Sequence, residues 1–498
     1  MTIATHIVRG LFSPRRKNID RFRREPAAVQ REQLEWILTR GRKTLFGADH
    51  GLCSVTDYEG FRRAVPVREY EESCGYVERA RRGECDVLWP GRVRFFAKSS
   101  GTTDARSKYI PVTGQGLWRS HMRGPRDLIA IFSDICPESR VFEGKTLTLG
   151  GSRRVEREGE CALTGDLSAI LIENTPAWAD LRRAPSRETV LIEDFDLKVR
   201  RICEECAGEN IRSFAGVPSW NMVLLRKILE YTGKSNLLEV WPDLELFIHG
   251  GMSFAPYREL YRRLIPSDSM KYMETYNASE GFFAIGDDLE RDDMLLMLDY
   301  GTFYEFEPAD GGEPVPLQGV RTGVNYAMII TSCNGLWRYR LGDTVEFTST
   351  SPCRIRITGR TKLFINVFGE ELMVDNAERA MHAACAATGA EVEEYTAAPI
   401  FMDSDRKGSH QWVVEFRREP ADRTAFIREL DGALRSLNSD YDAKRTHDAT
   451  LLAPTLSVVP RGTFMAWMSR RGKVGGQNKV PRLSNSREYV EELTNIKP

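Results

Sequence analysis

Ser99-Ser100-Gly101-Thr102-Thr103, followed at a short distance by Lys108, is the segment of the chain richest in phosphate-binding chemistry. Its hydroxyls and backbone N–H groups offer donors, Gly101 lets the backbone approach a ligand, and Lys108 supplies a point charge. That combination suits a polyphosphate, although a run of small polar residues also makes a plain turn. The segment is neither a Walker loop, which needs Gly-x-x-x-x-Gly-Lys-Ser/Thr, nor a dinucleotide fingerprint.

Three further segments complete the set. Tyr276-Asn277-Ala278-Ser279-Glu280-Gly281 carries a carboxylate at a strand end, a good place for magnesium, which prefers oxygen ligands. A solvated turn glutamate has the same spacing. Tyr339-Arg340-Leu341-Gly342-Asp343 sets an acid just past a strand, where its two oxygens can accept both ribose hydroxyls; the alternative is a hairpin ion pair between Arg340 and Asp343. Gly476-Gln477-Asn478-Lys479-Val480-Pro481-Arg482 isolates one lysine, Lys479, in a glycine-containing loop that otherwise reads as a solvated tail.

These residues need a scaffold. Apolar runs and amphipathic stretches predict strands over 211–217 and 244–249, a helix opened by proline over 218–231, a helix over 257–264 and a strand over 272–276. This alternation is an α/β signature. Strands are predicted over 326–331, 336–339, 344–347 and 354–358, with a Cys-Asn-Gly turn after the first. The pattern then restarts on a smaller scale: a strand over 363–367, a helix over 372–387, strands near 392–401 and 411–416, and a helix over 423–437. A boundary at Thr358–Thr361 divides the chain into a large domain, 1–358, and a small α+β domain, 359–498, joined at a glycine-containing hinge.

The whole chain sets limits. Its 498 residues exceed one ordinary domain, and a net charge of −1 provides no basic field for nucleic acid or anionic lipid, so small-molecule partners are expected. No run has the roughly 20 apolar residues that cross a bilayer, and His6 and Arg9 interrupt the first stretch, so no membrane partner and a cytoplasmic location are expected. Among the ten cysteines only Cys203 and Cys206 are spaced as Cys-x-x-Cys. They fall on a helix stopped by Gly208, with no second pair at metal spacing, and read as reduced structural thiols.

The four motifs, in this order and at these separations, resemble the acyl-acid amido synthetase family first known from plant auxin-responsive proteins, over essentially the whole chain. That family lies within the adenylate-forming superfamily of acyl-CoA synthetases and luciferases. Gly359-Arg360-Thr361-Lys362-Leu363-Phe364-Ile365-Asn366 and the following Gly369-Glu370-Glu371-Leu372 look more like bacterial members. Ala105 stands where the family often has glycine, and Ser107 where it often has proline.

The resemblance implies an α/β fold: a large N-terminal adenylate-forming domain of β-sheets flanked by helices with a β-barrel-like part, plus a small mobile C-terminal domain. It implies ATP and magnesium as cofactors, and a carboxylic acid and an amine, in particular an amino acid, as substrates. The acid attacks the α-phosphate to give acyl-AMP and pyrophosphate, and the amine then displaces AMP. Ser99, Ser100, Gly101, Thr102, Thr103 and Lys108 would hold the phosphates, Glu280 the metal, and Asp343 the ribose. Tyr276, Ala278, Ser279 and Arg360 would lie beside the nucleotide, and Lys479 at the reacting groups. Phe214, Val217, His249, Gly250, Gly251 and Met252 would line the acyl pocket, with Trp118 bordering it; for His249 a satisfied strand-end histidine, and for Trp118 ordinary packing, are the alternatives. Two other functions stay open: a ligase that passes the acyl group to a thiol, and a catalytically silent nucleotide-binding scaffold.

Overall fold

The computed structural model describes residues 3–99, 108–150, 155–158, 162–360, 364–403, 406–448, 450–470 and 481–496. The apolar strands assemble into a 12-stranded mixed sheet. Strands Arg183–Ala184, Lys145–Thr148, Ile211–Gly216, Leu246–Gly250 and Lys271–Ala278 run parallel to their neighbours. Helices Phe195–Cys206, Pro218–Thr232 and Arg258–Leu264 lie between successive strands of this half in the chain, as parallel pairing requires. From Lys271–Ala278 onward the ladder turns antiparallel through Gly281–Ile285, Met294–Leu296, Cys353–Arg360, Leu336–Thr350, Asn325–Ser332 and Thr302–Pro308. This antiparallel half continues the same sheet as the parallel one.

Strand Lys271–Ala278 is therefore the switch between the two halves, the place where open α/β sheets leave a crevice at their strand ends. A second, four-stranded sheet faces the same region. In it Phe95–Ser99 and Lys108–Val112 form an antiparallel pair with Ser99 opposite Lys108. Residues 100–107 connect these strands and lie outside the described residues, as does 471–480 with Lys479.

Helices that the sequence patterns did not outline cover the antiparallel half, among them Ser13–Arg24 and Pro26–Gly41. Arg15 anchors them: its guanidinium donates to Asp127 Oδ1 at 2.9 Å and Asp299 Oδ2 at 2.6 Å, and Tyr300 Oη also donates to Asp127. Buried charge of this kind persists only when each partner is satisfied.

The predicted elements from 211 to 264 and from 372 to 437 form close to their expected bounds, with helix Arg423–Leu437 matching at both ends. One expectation fails. The strands predicted over 336–339 and 344–347 are a single strand, Leu336–Thr350, because Gly342 takes φ 93 and bends the chain without ending the ladder. Asp343 lies inside that strand rather than past it, and the hairpin ion pair does not form; Arg340 instead donates to Glu307 at 2.7 Å. Cys203 and Cys206 are buried free thiols on helix Phe195–Cys206, pushed up to about 11 and about 12 by burial, as structural cysteines are.

The last part of the chain packs helices Val374–Thr388 and Arg423–Leu437 against a three-stranded sheet, Glu391–Ile400, Ser409–Arg418 and Thr455–Val459. Its apolar residues Leu372 and Trp412 join the same core cluster as Phe214 and Phe247 of the parallel strands. The loop after Phe364–Ile365 makes the polar part of this junction. Tyr257 Oη donates to the Val367 carbonyl at 2.8 Å and Ser219 Oγ to the Phe368 carbonyl at 3.0 Å. No described helix is long and apolar enough to cross a membrane.

Candidate active site

A cavity of about 1140 Å³ opens where the sheet changes from parallel to antiparallel. On one side it is lined by Lys108, Tyr276, Ala278, Ser279, Glu280, Asp343 and Arg360. Lys108 begins its strand beside Tyr70, with Nζ 5.6 Å from that ring's centre. Ser279 and Glu280 form the turn between Lys271–Ala278 and Gly281–Ile285, so Tyr276 and Ala278 belong to the strand itself, which runs two residues beyond its predicted end. Asn334 Nδ2 donates to the Glu280 carbonyl at 3.0 Å and fixes this turn.

Glu280 is 8% exposed, and burial pushes its carboxyl up to about 7 against the opposing pull of Lys108. A buried carboxylate with no direct ion partner among the described residues favours an incoming cation. Among the described residues no cluster of three or more His, Cys, Asp and Glu side chains can hold a metal unaided. Magnesium bound with a nucleotide needs only one or two carboxylates because phosphate oxygens and water complete its shell, and Glu280 fits that requirement.

Asp343 is held from two sides. Tyr276 Oη donates to Oδ2 at 2.6 Å, and Arg360 Nε donates to Oδ1 at 2.8 Å from the neighbouring strand. Each carboxylate oxygen keeps a lone pair, so the oriented acid can still accept two hydroxyls. Arg360 also reaches Glu371 Oε1 at 3.2 Å, which ties this side of the cavity to the C-terminal part.

The opposite side is aromatic and polar. His249, Gly251, Met252, Phe254, Tyr272 and Glu274 line it. The rings of His249 and Phe254 stack with centroids 4.3 Å apart, and Tyr272 lies 5.2 Å from Phe254. Burial pushes His249 down to about 3, so the imidazole is neutral at physiological pH. Gly250 stays off the lining, yet its residue type matters: a Cβ there would sit 2.4 Å from the Thr275 carbonyl oxygen. Gly251 takes φ 80, a conformation that glycine adopts freely.

Besides Gly250, three residues assigned to the acyl pocket do not line the cavity. Phe214 is wholly buried, stacked 4.3 Å from Phe247, because it sits one side-chain row below the strand ends. Val217 caps helix Pro218–Thr232, its Cγ2 3.5 Å from where a Gly251 Cβ would be. Trp118 is 47% exposed on the turn Leu117–His121, so ordinary surface packing describes it. Ser100, Gly101, Thr102, Thr103 and Lys479 lie outside the described residues, and Ser99 is described only as the end of its strand.

Sequence reasoning missed Glu274, Phe254, Tyr272, Glu371 and Lys98, all of which line the cavity. A signal for Glu274 was present: an acid inside a short strand, alternating with Tyr272 and Tyr276 on one face.

Known proteins share this fold. The GH3 family N-terminal domain matches residues 15–270, its central domain 295–360 and its C-terminal domain 375–488. The chain is 31% identical to indole-3-acetic acid-amido synthetase GH3.10 of Arabidopsis thaliana over 87% of each chain. It is 24% identical to the 4-substituted benzoates-glutamate ligase GH3.12 of the same plant over 94% of each. Among solved structures, AtGH3.15 acyl acid amido synthetase in complex with 2,4-DB superimposes with a TM-score of 0.63 at 18% identity, covering 96% of this chain and 95% of that one. With more than half its length matched by the N-terminal domain alone, the chain belongs to the GH3 family.

Proposed function

We propose that this cavity activates a small carboxylic acid as its acyl-AMP and then joins the acyl group to the amine of an amino acid. The observation that carries the reading is the gathering of Lys108, Glu280 and the Tyr276–Asp343–Arg360 triad in one cavity at the switch strand. A carboxylate alone acylates poorly because its leaving group would be oxide. Attack on the α-phosphate of ATP replaces that oxide with AMP, and pyrophosphate departs. Negative charge grows on the phosphoryl oxygens during this displacement, and Lys108 and Lys479 act as positive groups aimed at it. Glu280 would hold magnesium, which neutralises the phosphates when bound.

Asp343 accepts the ribose hydroxyls, with Tyr276 and Arg360 fixing its orientation. Ser99 to Thr103 cradle the phosphates. In the second step the amine attacks the mixed anhydride, and AMP carries away the electron pair of the broken bond. Enclosure of the adenylate limits hydrolysis. We assign 1–358 and 359–498 as two units that move about 358–361, so that Lys479 serves the first step and withdraws for the second. The relatives' named acids, indole-3-acetic acid and 4-substituted benzoates, are aromatic, in keeping with the aromatic wall of this cavity.

Acid-dependent exchange of pyrophosphate into ATP over aryl, indolyl and aliphatic acids tests the first step. Mass spectrometry after adding mixed amino acids, or coenzyme A, tests the second. The expected product is an amide; a thioester without amide would place the chain with the thiol ligases, and nucleotide binding without exchange would make it a silent scaffold.

A further inference from the structure

Lys108 and Glu280 stand on separate segments, and one side chain outside the cavity ties those segments together. Asn334 is 1% exposed, in the turn between strands Asn325–Ser332 and Leu336–Thr350. Its Nδ2 donates to the Glu280 carbonyl at 3.0 Å and to His121 Nε2 at 3.3 Å, and its Oδ1 accepts from the Thr113 N–H at 3.2 Å. Thr113 directly follows strand Lys108–Val112, so the strand that begins at Lys108 ends on the amide that holds Glu280.

Only one orientation of this amide serves all three neighbours. Flipped, it would set Oδ1 against the Glu280 carbonyl oxygen and Nδ2 against the Thr113 N–H. Burial pushes His121 down to about 4, so its ring is neutral and Nε2 can accept. Gly116 closes another side, since a Cβ there would collide with Asn334 Oδ1. Thr113 Oγ1 accepts from the Gly116 N–H at 2.9 Å and donates to the Cys333 carbonyl at 2.6 Å. The chain then winds through a π-turn, Leu117–His121, in which the Met122 N–H donates to the Leu117 carbonyl five residues back at 2.8 Å. That turn brings His121 to Asn334, and it brings Ser120 Oγ to the Phe282 N–H, which donates to it at 3.0 Å. The backbone is thus held at Glu280 and again two residues later, by buried groups that do not themselves line the cavity.

Magnesium gives this arrangement a purpose. The ion tolerates little departure from octahedral geometry, with bonds of about 2.0–2.1 Å, so a single protein carboxylate must stand at a fixed place relative to the phosphates that complete the shell. A fully satisfied buried polar network supplies that rigidity. We infer that Asn334, held by Thr113 and His121, is a positioning residue that fixes the Glu280 turn relative to the Lys108 strand, so that Glu280 and the triphosphate can share one magnesium ion. The inference rests on the reading of Glu280 as the metal carboxylate.

The test combines magnesium titration of pyrophosphate exchange with calorimetry of ATP binding to the full chain, with and without magnesium. Asn334→Ala is expected to raise the half-maximal magnesium concentration by roughly tenfold or more, the scale on which losing an outer support weakens a metal site. The gain in ATP affinity that magnesium brings should shrink by a similar factor, while ATP without metal binds within about threefold of wild type. His121→Met, which keeps the size without an acceptor nitrogen, should shift the magnesium requirement in the same direction. His121→Gln, whose amide oxygen can stand in for Nε2, should restore it. Loss of a merely structural contact would lower the melting temperature at an unchanged magnesium requirement. That result in Asn334→Ala overturns the inference, as do His121→Met and His121→Gln variants that behave alike. Should Asn334→Ala fail to fold, the two His121 variants decide. Glu280→Gln in the same titration separates the readings: if it loses the magnesium dependence while Asn334→Ala keeps it, the inference alone falls. If Glu280→Gln titrates like wild type, or magnesium leaves ATP affinity unchanged in the wild type, the metal reading falls and the inference with it.

Discussion

Arg360 donates from Nε to Asp343 Oδ1 at 2.8 Å across two adjacent strands, and the same guanidinium reaches Glu371 at 3.2 Å. One cation thus orients the acid proposed to hold ribose and touches the first residues of the C-terminal part. The Coulombic pull of Glu371 is the largest influence on Arg360; it is opposed by burial and reinforced by Asp343, and the net result lies far above the ordinary arginine value. The guanidinium is a permanent charge at this junction.

Asp343→Ala is expected to weaken ATP binding by roughly 10- to 100-fold, the scale of about 1.5–3 kcal/mol for a hydrogen bond to a charged group. Tyr276 and Arg360 lose a partner at the same time, so the melting temperature should fall as well. ATP affinity measured by calorimetry and unchanged in the variant would remove Asp343 from the ribose site.

Glu280→Gln should abolish magnesium-dependent pyrophosphate exchange with little change in volume or fold, because it removes the carboxylate charge while the backbone carbonyl bond from Asn334 stays. A magnesium titration of exchange that matches wild type would contradict the assignment.

The scaffold could be read where local pattern decides structure. The alternation of apolar runs fixed the strands and helices from 211 to 264 and the helix Arg423–Leu437. The charged motif residues Lys108, Glu280, Asp343 and Arg360 do meet in one cavity. What escaped depends on contacts between distant segments. The stretch around Gly342 read as a gap between two strands, yet the ladder to Asn325–Ser332 pairs residues on both sides of it. Phe214 and His249 stand in neighbouring strands one row apart, and only the register shows that His249 borders the cavity while Phe214 is buried in the core. Glu274 stands beside His249 in the neighbouring strand, a placement that only the register shows.

Acid stability offers a test of the fold itself. Asp293 is buried, which raises its carboxyl, but hydrogen bonds from Arg291, Thr348 and Arg354 more than offset this and hold it well below the usual range. A depressed folded-state value contributes stability above the unfolded carboxylate value of about 3.9 and loses it as pH falls toward the lower folded value. Asp293→Asn should therefore lower the urea midpoint at pH 7 and flatten its dependence on pH below about 4. An unchanged slope between pH 4 and 2.5 would show that this cluster does not govern the acid limb.

Lys479→Ala should reduce pyrophosphate exchange by roughly 100-fold, the scale of one preorganised transition-state donor, while chemically supplied acyl-AMP is still converted to amide at a near-normal rate. Arg360→Pro should impair both steps, since it fixes φ at the proposed hinge and removes the guanidinium from Asp343. If Lys479→Ala damages both steps alike, the two-position arrangement of 1–358 and 359–498 fails.

The most direct test follows one oxygen. The best acid from the exchange panel, labelled with oxygen-18 in both carboxylate positions, is incubated with ATP, magnesium and the amino acid that it conjugates, and the nucleotide product is weighed by mass spectrometry. Attack of the carboxylate on the α-phosphate predicts AMP carrying one oxygen-18, with unlabelled pyrophosphate. Labelled phosphate accompanied by ADP, or AMP free of the label, would contradict acyl-adenylate formation in this cavity.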